Sequence, residues 1–361
     1  MGNWTLAMVQ PLRDKLAKNM HPNFRVVTMP DFYLDYILSY PGNLEDLTAA
    51  LETVARRGGG NIVGWKHLVG RGGNSPNLAA QLTALGVEVI PIIETNQLGY
   101  DIIAQSLKGV DLSHVKRTGA MSSTVSLEAD YSGRRVNMMM SNPASHAKFG
   151  PERLSIDDKA VIRNSDFVVV LNWGQNQRGT DLAEEVFKTA REGDAITFFD
   201  PGDPSSNQNG LQELNNRVLV KGLVDVLSVN ENELLQIGEA LQREGGGSIE
   251  SGLFETAGAI SMFGCRVDIH TPEFSASFED GRSEKVPCLA IRPAKVTGAG
   301  DVWNAASIFA QGMSLNNSER LLFANAAAAA YLIREDLNPP GLGEILEFSG
   351  KLERSIENSA L

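Results

Sequence analysis

The sequence predicts an α/β protein: a mostly parallel, doubly wound sheet with helices on both faces and a small β lid. Three observations predict it. Apolar, β-branched runs such as Arg25 to Met29 (RVVTM) and Asp166 to Leu171 read as strands buried on both sides. Helical patterns alternate with these runs, the arrangement that yields a parallel sheet. The third is Ser122 to Met140, which alternates around Tyr131-Ser132-Gly133 and predicts an antiparallel hairpin outside the main sheet. Such a hairpin is placed to cover the strand ends, where open α/β sheets bind ligands.

Taken in order, Leu6, Val9, Leu12, Leu16 and Met20 recur at helical spacing and predict a helical extension over residues 1–24, ahead of the first strand. Asn43 starts a second helix with Leu44, Leu47, Leu51 and Val54 on one face, stopped by Gly58-Gly59-Gly60. Ser75 as N-cap, Pro76 at the first helical position and Gly86 beyond the end bracket a third. Strands follow at Val87 to Ile93, Asp166 to Leu171, Ala195 to Phe199 and Leu223 to Val229. Helices are expected over Leu182 to Arg191, Glu231 to Leu241, Val302 to Gln311 and Ser318 to Ile333.

Basic residues number 32 and acidic residues 44, a net charge of −12 that argues against nucleic-acid binding. It leaves room for a small anion, since helix N-termini hold phosphate inside acidic proteins. Two cysteines are too few for a disulfide framework and read as thiols in a reducing compartment. No apolar run reaches the roughly 18 residues of a membrane helix, and the N-terminus lacks the apolar core of a signal peptide. A cytoplasmic protein that engages neither membrane nor nucleic acid is expected.

Four stretches could carry chemistry. Thr297-Gly298-Ala299-Gly300-Asp301 opens a helix with small residues, so its free amides and the helix dipole could hold an anion. Asp301 beside them could take a proton from a hydroxyl. The plain alternative is a glycine-rich turn with an acid in the first helical turn. Gly72-Gly73-Asn74-Ser75-Pro76-Asn77 could bind sugar-type hydroxyls, or be a tight turn and cap. Asn230 and Glu233 suit a hydrated Mg²⁺, or form a capping box. Asp31 and Asp35 after the first strand could accept hydrogen bonds from a polyol, or be solvated turn acids. Asp200-Pro201-Gly202-Asp203 reads first as a turn. The five histidines show no zinc spacing, and no GxSxG elbow or GxxxxGK[ST] loop is present. A dinucleotide-binding oxidoreductase would need GxGxxG after the first strand, where the chain reads MPDFYLD.

Together these stretches resemble the PfkB or ribokinase-like family of small-molecule kinases, from about Arg25 onward. Pro30-Asp31-Phe32-Tyr33-Leu34-Asp35 is similar to the family's Gly-Asp and second Asp after its first strand. Gly72, Gly73 and Asn77 match GGxxxN, Asn230 to Glu233 match NxxE, and Gly298 to Asp301 match GAGD. Phe323-Ala324-Asn325-Ala326-Ala327 resembles the adenine-side helix. The resemblance implies a three-layer α/β/α domain over residues 25–361, with lid segments near 32–41, 61–71 and 117–142. It implies transfer of the ATP γ-phosphate, with Mg²⁺, to a hydroxyl of a sugar, sugar acid or nucleoside. By the same resemblance Asp301 is the base, and Gly298, Ala299 and Gly300 form the anion hole. Asp35, Gly72, Gly73 and Asn77 face the acceptor; Asn230, Thr297, Lys295 and Asn325 lie on the nucleotide side; Asn230 and Glu233 reach the metal through water. The lid would exclude water from the reaction, and its exposed hairpin could pair with a second copy. Two positions depart from the family. Lys295-Val296 stands where Asp-Thr is usual, and Val267 to Phe274 stands where a glycine-rich nucleotide loop is usual. The first lets a lysine ammonium take the place of a monovalent cation. The second favours the competing reading, a sugar- or nucleoside-sensing protein that has lost nucleotide use.

Overall fold

The computed structural model describes residues 15–16, 22–242 and 248–360. In chain order its strands are β1 (Arg25–Met29), β2 (Tyr33–Asn43), β3 (Lys66–Gly72), β4 (Glu88–Pro91), β5 (Ile93–Glu94), β6 (Val115–Lys116) and β7 (Ser122–Tyr131). They continue with β8 (Arg134–Asn142), β9 (Phe167–Leu171), β10 (Ile196–Asp200), β11 (Val226–Val229), β12 (Arg266–His270), β13 (Phe274–Glu279) and β14 (Arg282–Pro287). The main sheet runs β14-β13-β12-β11-β10-β9-β1-β4. From β4 to β12 every neighbour is parallel, and β13 and β14 add an antiparallel edge.

Alternation along the strands sorts the core into two layers. Val26 and Val169 pack with residues of helices Asn74–Ala84, Ala299–Gly312 and Asn317–Leu332. Val27, Val168 and Val170 pack on the other face with Ile162, Leu182, Val186, Leu234 and Leu253. Each of these strands buries both its faces, which is why it reads as a nearly continuous apolar run. The result is a three-layer α/β/α body.

A second sheet, β3-β2-β7-β8, stands apart from the first. Its β7–β8 turn falls at Ser132 and Gly133, both with positive φ, the geometry a two-residue hairpin turn requires. One lid face carries a cross-strand apolar row, Val69, Tyr36, Val125 and Met140.

Several elements differ from expectation. The helix at Asn74 is capped by Gly73, not Ser75. Asp31 supplies the cap instead, accepting from the amides of Asn74 (2.8 Å) and Ser75 (3.0 Å), while the Ser75 hydroxyl bonds Thr28 Oγ1 at 2.9 Å. A buried acid from another segment has taken the role that sequence proximity assigned to serine. The strand expected over Val87 to Ile93 is two strands: Glu88–Pro91 pairs with β1, and Ile93–Glu94 pairs with β6. Pro91, which has no N–H for a ladder, ends the first. Strand β12 went unread because Arg266 and Asp268 interrupt its apolar pattern. The helix expected over residues 6–20 lies outside the described residues except Lys15 and Leu16.

Candidate active site

Gly298 adopts φ +85° and opens the helix Ala299–Gly312. A side chain there would be strained in backbone, and its Cβ would sit 3.0 Å from the Tyr331 hydroxyl. The amides of Ala299, Gly300 and Asp301 meet no acceptor among the described residues. These are the orphan donors of a helix start, gathered beside a buried carboxylate. Asp301 Oδ2 accepts from Asn77 Nδ2 at 2.9 Å. Burial drives its pKa well above the carboxylate range; the Asn77 bond opposes this, while nearby Asp200, Asp31 and Asp35 add to it.

Asn77 is held in turn. Its Oδ1 accepts from Arg71 Nε at 3.1 Å, which leaves Nδ2 directed at Asp301. Arg71 Nη2 donates to the Leu337 carbonyl at 3.0 Å. Asp35 lies against Gly72, where an added Cβ would fall 2.0 Å from its Cγ. At Gly73, φ +88°, an added Cβ would fall 3.0 Å from Asp31 Oδ2 and from the Phe32–Tyr33 backbone. The two glycines therefore exist to admit two acids. Burial and the Asp31 charge push the Asp35 pKa up to about 7, against a lowering by Arg71.

A third group sits at the ends of β10 and β11. Asp200 Oδ2 accepts from Asn304 Nδ2 at 2.6 Å and Oδ1 from the Gly202 amide at 2.8 Å, and burial raises its pKa to about 6. Asn230 caps the helix Glu231–Ala240 in a capping box with Glu233: Asn230 N and Nδ2 donate to the two Glu233 oxygens at 2.9 and 2.7 Å. Burial pushes Glu233 well above its usual range, and Asp200 is the next largest cause. Among the described residues no cluster of three or more side chains could ligate a metal directly.

Lys295 is buried, and its ammonium donates to the carbonyls of Tyr331 (2.9 Å) and Arg334 (3.0 Å), 3.8 Å from the Tyr331 ring centre. Burial lowers its pKa to about 8. Thr297 Oγ1 accepts from Asn137 Nδ2 at 2.9 Å, and Glu128 accepts from the Val296 amide at 3.2 Å. The smaller sheet thus bonds directly to the turn that precedes the helix Ala299–Gly312. Asn325 is fully engaged, accepting from Trp303 Nε1 at 2.9 Å and donating to the carbonyls of Val286 (3.3 Å) and Pro287 (3.1 Å). That leaves no amide proton of its own for a nucleotide. The region expected to hold a nucleotide loop is β12, a short turn at Thr271 and β13.

The structure therefore brings Asp301, Gly298–Gly300, Asn77 and Arg71 together, with Asp35, Gly72 and Gly73 alongside. Sequence reasoning missed Arg71, Glu128, Asn137 and Asn304. For Arg71 the signal was its place immediately before Gly72-Gly73; the others are separated from their partners by more than 70 residues.

The model of the pfkB family carbohydrate kinases matches residues 65–340. The chain belongs to that family. Among curated proteins it is 23% identical over 308 residues to the bifunctional protein HldE of Aliarcobacter butzleri. The match takes in 80% of this chain but only 58% of HldE, little more than half its length. Solved structures share the fold of this pfkB-family chain. Ribokinase of Arabidopsis thaliana, complexed with ribose and ATP, superposes with a TM-score of 0.69 at 18% identity, covering 90% of this chain and 98% of that one. The 2-dehydro-3-deoxygluconokinase of Thermotoga maritima gives 0.71 at 18%, covering 91% and 99%. Adenosine kinase of Sinorhizobium meliloti gives 0.71 at 16%, again over 91% and 99%.

Proposed function

We propose that this chain transfers the γ-phosphoryl group of ATP to a hydroxyl of a small sugar-like acceptor, with Asp301 as general base. The observation that carries the reading is Asp301 itself: a buried carboxylate beside three helix-start amides that meet no acceptor among the described residues. Its carboxylate takes the hydroxyl proton as the acceptor oxygen bonds to the γ-phosphorus. The bond from that phosphorus to the β-phosphate oxygen breaks, and ADP leaves. The amides of Ala299, Gly300 and Asp301 stabilise charge developing on the transferred group. A base with a raised pKa is also the stronger proton acceptor near neutrality.

Burial raises Asp200 and Glu233, and the Asp200 charge raises Glu233 further, an acidic pair that a divalent cation would relieve. Two buried acids raised in pKa fit Mg²⁺ that keeps its waters. Mg²⁺ would supply charge neutralisation on the polyphosphate, and Asn230, which donates to both Glu233 oxygens, would hold that carboxylate in place. Lys295 occupies two carbonyls as a fixed cation close to the Gly298–Asp301 turn, in place of a mobile one. The apolar row on the smaller sheet supports self-association there, which a Met140→Glu variant would abolish in sedimentation. Free Cys265 and Cys288 agree with a cytoplasmic location.

A screen of sugars, sugar acids, sugar phosphates and nucleosides with ATP·Mg²⁺ tests the reading, scored by ADP release that depends on acceptor. Acceptor binding with no ATP heat and no transfer would favour the sensing alternative, which the short β12–β13 turn supports.

A further inference from the structure

Arg71 is buried at the acceptor end of the site, yet among the described residues it has no carboxylate within ion-pair distance. Among the described residues its hydrogen bonds are two, both to neutral oxygens: Asn77 Oδ1 and the Leu337 carbonyl. Nη1 makes none. Guanidinium groups carry five donors in a planar fork suited to carboxylate or phosphate, and a buried one is ordinarily paired. Asp35 and Asp301 lie close enough to act on its charge, but neither contacts it. Arg266 and Arg320 of the same chain show the ordinary outcome, with both bonded to Asp268.

We propose that Arg71 selects an anionic acceptor, a sugar derivative whose carboxylate or phosphate takes the free edge of the guanidinium while its hydroxyl faces Asp301. This rests on the kinase reading above and specifies its substrate class. The Arg71–Asn77–Asp301 chain would then align the base from the same group that holds the anion. Asp35, which titrates near neutrality, can be protonated beside an acceptor anion and so need not repel it. A neutral sugar or nucleoside would leave the fork half used, and that costs affinity.

The test compares matched pairs with ATP·Mg²⁺: glucose with gluconate, ribose with ribose 5-phosphate, fructose with fructose 6-phosphate. Within at least one pair the charged member should have a kcat/KM at least tenfold higher, and the pairs show whether carboxylate or phosphate is preferred. Arg71→Met should raise KM for that acceptor roughly 10- to 100-fold and bring the pair's ratio toward one. Arg71→Lys should restore part of the preference. A neutral acceptor preferred throughout, or a ratio unchanged in Arg71→Met, overturns the proposal. Loss of kcat alone, with KM and the ratio kept, would reduce Arg71 to positioning Asn77 and also overturns it. If no acceptor is phosphorylated, the kinase reading fails. Calorimetry of the same charged compounds without ATP then decides the anion proposal separately: Arg71-dependent heat supports it, and none refutes it.

Discussion

Two buried charge clusters in this molecule have opposite designs. In the first, Asp268 on β12 accepts from Arg320 Nη1 (2.6 Å) and Nη2 (2.9 Å), Arg266 Nε (3.2 Å) and Ser277 Oγ (2.7 Å). Burial alone would raise its pKa, but the two guanidinium groups outweigh that and hold the carboxyl below its usual range. In the second, Asp35, Asp200, Asp301 and Glu233 make no ion pair among the described residues, and burial pushes all four upward. The paired cluster ties a strand to the helix Asn317–Leu332. The unpaired one holds strain that a bound cation or proton would relieve, which is what a reactive site requires.

The largest expected effect breaks the second cluster. Asp301→Asn keeps the shape but cannot take a proton, so kcat should fall roughly 10²- to 10⁴-fold. Because it removes a charge from a crowded acidic set, the melting temperature should hold or rise slightly. Near wild-type turnover would end the base assignment. The reverse experiment is Asp268→Asn. It leaves two guanidinium groups buried without their partner and should cost about 3 to 5 kcal/mol of stability in denaturant titration. Turnover per folded molecule should be unchanged. A kcat loss matching that of Asp301→Asn would show that the two clusters are not separable.

The smallest effect concerns Lys295, buried among carbonyls but outside both clusters. Its proton is held below about pH 8 and lost above it. Turnover should therefore fall as pH rises through about 8, and Lys295→Arg should move that limb upward. Stability should do the opposite. An unfolded lysine keeps its proton to a higher pH, so over that interval the unfolded chain binds more protons and stability rises with pH. Replacing K⁺ with Na⁺ or a bulky organic cation should leave the rate unchanged. Strong K⁺ activation, or an unimpaired Lys295→Ala variant, would refute the built-in cation.

What was legible in the sequence followed from local rules. The parallel strands betrayed themselves by continuous apolar runs, the hairpin by its alternation and its Ser132-Gly133 turn, and the anion turn by Gly298-Ala299-Gly300. Of the two readings of Asn230 and Glu233, the structure shows the capping box, around a carboxylate crowded by Asp200. What was hidden depended on distant partners. Asp31 displaced Ser75 as helix cap from 44 positions away, and Arg71 gained meaning only from Asn77 and Leu337. Strand β12 was concealed by the same Arg266 and Asp268 that pair within the core.

The junction at Gly72-Gly73 carries a consequence for how the chain can change. Gly72 is still paired to Tyr33 in the smaller sheet, and Gly73 already caps the helix that bears Asn77. No slack separates strand from helix. Inserting or deleting one residue here would rotate the helix by about 100° relative to β3, turning Asn77 away from Asp301 while leaving every named residue present. Substitutions in this stretch can be graded; changes of length cannot. The spacing from Arg71 to Asn77 behaves as a ruler, and its six-residue interval is as much a functional group as either side chain.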